Sequence, residues 1–290
     1  MINVICVKWG DKYSHEDVNR LHTMVKKYLN TPFTFYCYTD NPTNIDANII
    51  KIKSNYLETY WNKLAMFQNN FVPDGPCLYF DLDLVIQNPI DTLLGYLSDN
   101  LTMIKCHWKG NIITDGSSHR EKDRWDMNVN SSVLLWKSNS LTKIWKHFYE
   151  NADYFMVQYK GIDRFLFHEK FKLNYFPEGL FYSRMNGEKE EDYTYAKLYD
   201  VNLFKNIQTR VKMKDFKEIY LHHIPHKMIC LFNGPTEDWT YEGFESYWSR
   251  ISSIIISQKF LSGITNPKVN LSSYARAQCQ YILSFSCNIP

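Results

Sequence analysis

The chain has no CxxC pair, no leader-like start, no membrane-length apolar run and almost no net charge. Each absence removes a class of protein. The seven cysteines (Cys6, Cys37, Cys77, Cys106, Cys230, Cys279 and Cys287) are scattered, which argues against a disulfide framework and for a reducing compartment. Several sit in apolar, strand-like runs such as "VICV" and "FYCYT", where Cys packs as a small hydrophobe. The start, "MINVICVKWGDKY", lacks the basic region and following apolar stretch of a signal peptide. No segment approaches the roughly 18 apolar residues of a membrane span. A cytoplasmic protein with no integral membrane segment is expected. A net charge of +2 gives no support for nucleic-acid binding and leaves acidic and neutral partners open. With no internal repeat, low-complexity tract or clear linker in 290 residues, one large domain or a domain with an appendage is expected.

Aromatic residues are what the chain has in quantity. With 21 Tyr, 18 Phe and 8 Trp, they make up 16% of it, enough to line a sugar site as well as a core. Rings serve both purposes, and core packing is the commoner one.

The first ninety residues alternate between strand and helix patterns. "NVICVKW" (Asn3–Trp9) reads as a strand. Ser14–Leu29 reads as a helix, N-capped by Ser14, with Val18, Leu21, Val25 and Leu29 on one face. Phe33–Thr39 and Ala47–Lys53 read as strands, and Glu58–Phe71 as a helix through Trp61, Leu64 and Phe67. "DGP" then turns the chain into "CLYFDLDLVI". Strands separated by helices imply right-handed βαβ crossovers and an α/β fold with a mainly parallel central sheet flanked by helices. Further on, "LTMIKCHW" and "NVNSSVLLWKS" look like strands, and "SLTKIWKHFYENADYFMV" and "GIDRFLFHEKF" like helices. Pro177–Val211 reads as a polar surface loop, "EIYLHHIPHKMICLFNGP" as strand residues mixed with turn formers, and residues 236–290 as helical.

"CLYFDLDLVIQNPID" (Cys77–Asp91) places Asp81 and Asp83 at the end of an apolar strand. Two neighbouring carboxylates repel, and burying them unpaired is costly. A metal ion, a basic side chain or a shared proton would relieve them. In an open parallel sheet, ligands sit beyond the carboxyl ends of the strands. Residues two apart on an extended strand face the same side, so both carboxylates can reach one object. Mg²⁺ or Mn²⁺ suits such a pair, because it takes one or two carboxylates and completes its shell with water and phosphates.

The blocks "VKWGDKY", "HEDVNRL", "FYCYTD", "YWNKLAMF", "LYFDLDLVI", "NVNSSVLLW", "GIDRF" and "ICLFNGP" together resemble nucleotide-diphospho-sugar glycosyltransferases, and more closely the family 8-like group with a GT-A fold. The resemblance runs from Met1 to about Trp239. It implies a Rossmann-like GT-A domain over residues 1–240, a helical C-terminal extension over 241–290, and a donor bound through Mn²⁺ or Mg²⁺. Asp81 and Asp83 would be the DxD motif, the first also near the ribose. Lys8, Trp9, Asp11 and Tyr13, in the loop after the first strand, would meet the base, with Lys63 near the diphosphate. Asn130, Ser131 and Ser132 would sit by the transferred sugar and Asp163 on the acceptor side, so that Asn130 and Asp163 are the catalytic candidates. The family's "HxxGxxKPW"-like block matches "FNGPTEDW", which puts Asn233 in the place of the metal-binding His and has no Lys-Pro pair. His222, His223 and His226 lie close upstream as substitutes. The implied activity is transfer of a hexose from a UDP- or GDP-sugar to a glycan or other hydroxyl acceptor, as in polysaccharide biosynthesis.

Plainer readings exist for most of these residues. Lys63 can be a solvated charge on its helix, Asp163 a helix cap, and Asn130 with the serines a polar strand entry. "HHIPH" matches no zinc spacing, and "EKEEDY" reads as a solvated loop or a lid. Trp239 and Tyr241 either line an acceptor groove or simply pack. Two rival functions remain. "LYFDLDLVI" also looks like the nucleophile motif of haloacid-dehalogenase-type phosphatases, with Asp81 as nucleophile, although some seventy-five residues precede it and no later acidic pair follows. The other rival is a non-catalytic carbohydrate-binding protein on a transferase fold.

Overall fold

β1 (Ile2–Lys8) runs almost wholly buried through the middle of a seven-stranded sheet, and its neighbours are laid down on both sides. The computed structural model describes residues 1–53, 57, 60–107, 127–159, 161–184, 208–212, 218–222, 224 and 227–232, with 208–212 and 218–222 as backbone alone. β2 (Phe33–Thr39) pairs parallel with β1 along its length, and β3 (Ile50–Lys53) continues parallel outside it. β4 (Pro76–Phe80) joins the other flank of β1, also parallel. Beyond β4 come β7 (Val129–Lys137), antiparallel, then β6 (Leu101–Lys105) and β8 (Leu173–Tyr175). The order β3-β2-β1-β4-β7-β6-β8 reverses direction between β1 and β4. The crevice beyond the carboxyl ends of those two strands is therefore the switch point, where open α/β sheets take their ligands.

Alternate residues of the sheet feed two cores, as the pleat requires. Val4, Cys6, Phe35, Cys37, Leu78 and Phe80 face α1 (His15–Tyr28), which buries Val18, Leu21 and Val25 against them. Ser14 caps α1 with a full capping box closed by Asp17. Ile5, Tyr36, Tyr38, Cys77, Tyr79, Leu134 and Trp136 face the other way, onto Trp61, Phe148 and Phe165. The ring of Trp61 stacks on Phe148 at 5.1 Å, so much of the aromatic content is core. The cysteines among the described residues are buried and form no disulfide with one another, and burial pushes the Cys77 and Cys230 thiols up to about 12.

A second sheet of three strands meets the first at the end of β4. β5 (Leu84–Ile86) pairs antiparallel with β12 (Ile229–Leu231), which pairs parallel with β9 (Phe181–Ser183). β10 (Gln208–Lys212) and β11 (Glu218–His222) form a separate antiparallel pair. Among the described residues no helix is long and apolar enough to cross a membrane.

The structure departs from the sequence reading in four places. The segment expected as an amphipathic helix over 58–71 is a 3-10 helix, Tyr60–Phe67, in which every residue from Trp61 to Phe67 is buried. With no solvent face, α-helical amphipathicity has nothing to act on, and the Asn62 side chain hooks back to the backbone of Leu57. The helix expected across 140–157 is broken into α2 (Thr142–Tyr149) and α3 (Ala152–Gln158), because Asn151 leaves helical backbone at φ −136° and ψ 32°. The stretch 177–211, read as loop, contributes β9 and most of β10. Three-residue β9 is a strand only by virtue of β12, a partner distant in the chain. Finally, "LYFDLDLVI" is two strands, with residues 81–83 as the link between the sheets. The helical extension over 241–290, its boundary with the 1–240 domain, Trp239, Tyr241 and the "EKEEDY" loop all lie outside the described residues.

Candidate active site

β4 carries the chain to the switch point, and there the backbone of the Asp81–Asp83 link is clamped at both ends. The Asp81 amide donates to the Ser132 carbonyl at 2.8 Å, and the Phe232 amide donates to the Asp83 carbonyl at 3.0 Å. One clamp comes from β7 and the other from the residue after β12, so both sheets hold the link.

Each carboxylate has its own partners. Asp81 Oδ1 accepts from the Lys63 ammonium at 2.9 Å and from the Tyr79 hydroxyl. Lys63 also donates to Ser131 Oγ at 3.0 Å, and its ammonium lies 4.5 Å above the Tyr79 ring. The Ser131 amide in turn donates to Asp163 Oδ1 at 2.9 Å. Asp83 Oδ2 accepts from the Tyr13 hydroxyl at 2.9 Å. The Lys12 ammonium stands 4.7 Å over the Tyr13 ring. Tyr79, Lys63, Asp81, Ser131 and Asp163 thus form one chain of hydrogen bonds, with the Tyr13–Asp83 pair beside it.

Burial pushes the Asp83 carboxyl up to about 6, and the negative charge of Asp81 adds to the rise. The Tyr13 hydrogen bond, Lys12 and Lys63 offset part of it. Burial likewise holds the Tyr79 hydroxyl well above its ordinary value, with Asp81 adding to the effect. Two carboxylates, one of them disfavoured as the anion by burial, therefore stand together just after β4.

Two of the plainer readings do not survive. Lys63 is 6% exposed and bonded to both Asp81 and Ser131, so it is no solvated surface charge. Asp163 does not cap α4 (Ile162–His168). The N-cap is Gly161, without a side-chain cap bond, and the Asp163 carboxylate ties the first turn to β7 instead. Asn130 accepts from the Ser132 amide at 2.9 Å, a local bond within the first residues of β7 that holds the Ser132 backbone.

The base-loop candidates divide. Tyr13 reaches the carboxylate pair. The buried Lys8 ammonium turns back to the Gly10 carbonyl at 3.3 Å, while Trp9 is half-buried and Asp11 exposed. Gly10, at φ +66°, makes the turn that lets its amide donate to Asp40, an anchor the sequence did not signal. Tyr79 was also missed. Its spacing was the available signal, since a residue two before Asp81 on a strand shares its side.

The donor set suits a hard divalent cation. Each aspartate has one oxygen engaged, and neither Asp81 Oδ2 nor Asp83 Oδ1 takes a hydrogen bond among the described residues. Two carboxylate oxygens match the modest demand of Mg²⁺ or Mn²⁺ when phosphates complete the shell. Among the described residues no three His, Cys, Asp or Glu side chains cluster as a complete metal cage. The third-ligand candidates Asn233, His223 and His226 lie outside the described residues, and His222 is described by backbone only.

No protein-family profile matches the chain, and no curated protein matches it in sequence. Solved structures do. The galactosyltransferase LgtC, in complex with donor and acceptor sugar analogues, aligns over 90% of this chain and 99% of its own at 15% identity, with a TM-score of 0.50. An active-site variant of LgtC covers 87% of this chain and 95% of its own at 17% identity and a TM-score of 0.50. The glycosyltransferase GlyE of Streptococcus pneumoniae TIGR4 covers 93% of this chain and 67% of its own at 14% identity, again with a TM-score of 0.50. The fold is the GT-A fold. In this chain the Asp81–Asp83 pair follows β4, at the point where the strand order of the sheet reverses.

Proposed function

We propose that the chain is a metal-dependent glycosyltransferase that moves a hexose from a nucleotide-diphosphate sugar, with UDP favoured over GDP, to a glycan or other hydroxyl acceptor. Retention of anomeric configuration is the favoured outcome, by likeness to the family 8-like group. One observation carries the reading: in a GT-A fold, a pair of acidic side chains with one oxygen each still available stands at the switch-point crevice, beside a buried lysine.

In this reading Asp81 and Asp83 hold Mn²⁺ or Mg²⁺, with Asn233 or one of His222, His223 and His226 as a further ligand. A bound cation of this kind neutralises the diphosphate and stabilises the charge that grows on the leaving nucleoside diphosphate. Lys63 adds a fixed positive charge at the same place. Glycosyl transfer passes through an oxocarbenium-like transition state, so the sugar needs close polar neighbours more than a strong nucleophile. Asn130, Ser131 and Ser132 supply them, with Asp163 towards the acceptor. The loop Lys8–Tyr13, anchored through Gly10 to Asp40, receives the base.

Calorimetric titration with UDP and then GDP, each with Mn²⁺ and again with EDTA, tests this. Metal-dependent binding of one nucleotide, abolished in Asp83→Asn while the variant stays folded, is the expected result. No binding of either nucleotide with any metal would sink the proposal, and full turnover by Asp83→Asn would remove the metal assignment.

A further inference from the structure

The buried hydroxyl of Tyr79 has a position that packing alone does not require. Tyr79 lies on β4 two residues before Asp81 and is 2% exposed. A phenylalanine would fill the same core, as Phe80 does on the opposite face of the strand. A buried tyrosine hydroxyl needs a polar partner, and here the partner is Asp81 Oδ1. The same oxygen receives the Lys63 ammonium, which rests on the face of the Tyr79 ring. One side chain thus orients the carboxylate through its edge and the lysine through its face.

We propose that Tyr79 is a positioning residue for the donor site: with Lys63 it saturates Asp81 Oδ1, fixes the carboxylate rotamer, and leaves Oδ2 directed to the cation-bound diphosphate. The inference rests on the transferase reading for the identity of the ligand. Tyr79 itself touches neither donor nor acceptor. It acts through Asp81, as outer partners of metal ligands generally do.

Tyr79→Phe is the informative change, because it keeps the ring, the packing and the platform for Lys63 and removes only the hydroxyl. Tyr182→Phe is the control. It deletes another buried hydroxyl, one that donates to Gln87 at 2.7 Å in the second sheet. Mn²⁺ binding is read directly by electron paramagnetic resonance, and UDP binding by calorimetry with Mn²⁺ and with EDTA. Tyr79→Phe is expected to weaken Mn²⁺ binding about tenfold, the lower end for loss of an outer partner. It should weaken UDP binding in Mn²⁺ but not in EDTA, and Tyr182→Phe should change neither. In an Asp81→Asn background the effect of Tyr79→Phe should vanish, as a double-mutant cycle requires of coupled residues. Unchanged Mn²⁺ binding in Tyr79→Phe, with only a fall in Tm like that of Tyr182→Phe, overturns the positioning role and leaves the transferase reading intact. A wild-type protein that binds neither Mn²⁺ nor UDP overturns both.

Discussion

The hydroxyl of Tyr13 donates to Asp83 Oδ2 at 2.9 Å although 70 residues separate the two. The bond ties the loop after β1 to the link after β4, so the proposed base site and the proposed metal site share a strut. Tyr13→Phe should leave the fold intact, since Tyr13 is only half-buried. A hydrogen bond to a charged group is worth about 1.5–3 kcal/mol, so the metal-dependent affinity for UDP should fall about tenfold or more. Calorimetry in Mn²⁺ checks it.

Lys63 is a buried charge bonded to Asp81, a proposed metal ligand. Lys63→Met keeps the apolar stem and removes the ammonium from Asp81 and Ser131. Turnover should drop by about a hundredfold or more, the scale seen when one electrostatic donor is removed from an active site. Steady-state kinetics should show the loss mainly in kcat.

Asp163→Asn separates scaffold from chemistry. The amide oxygen can still accept from the Ser131 amide, so the tie between α4 and β7 survives. A purely structural Asp163 would leave turnover near wild type. The expected outcome is an unchanged Tm with kcat reduced at least about tenfold, within the range for loss of a positioned acid or base.

Stability should fall as the pH is lowered through the histidine range, and His22 is a named cause. Its ring is buried against Phe33 and Phe35, with Asp46 at 3.6 Å. Burial lowers its pKa, and the attraction of Asp46 only partly offsets this. The unfolded chain therefore takes up the proton first. Below pH 6.5 and down to the lower folded value it binds more protons than the native state, and stability declines there. Above pH 6.5 the contribution is complete and flat. His22→Gln should flatten this acid limb, as read from urea midpoints at pH 5 to 8.

The strands and α1 were legible in the sequence because their signals are local. Apolar runs marked β1, β2 and β4, and Ser14 marked the start of α1; that Asp17 closes the cap as a box is a finding of the structure. The acidic pair was legible for the same reason, as two carboxylates ending an apolar strand. The helix expected over 58–71 failed because periodicity presumes a solvent face, and burial on all sides removes it. β9 was invisible because three residues gain strand geometry only from β12.

The chain on its own determined where strands end and where the carboxylates stand, since caps, turns and pleats are settled by neighbours a few residues apart. Only the tertiary structure decided what those carboxylates meet. Lys63 reaches Asp81 across 18 residues, Ser131 reaches Lys63 across 68, and Tyr13 reaches Asp83 across 70. Such pairings depend on sheet order and on burial, which raise the cost of an unpaired charge and so select its partner.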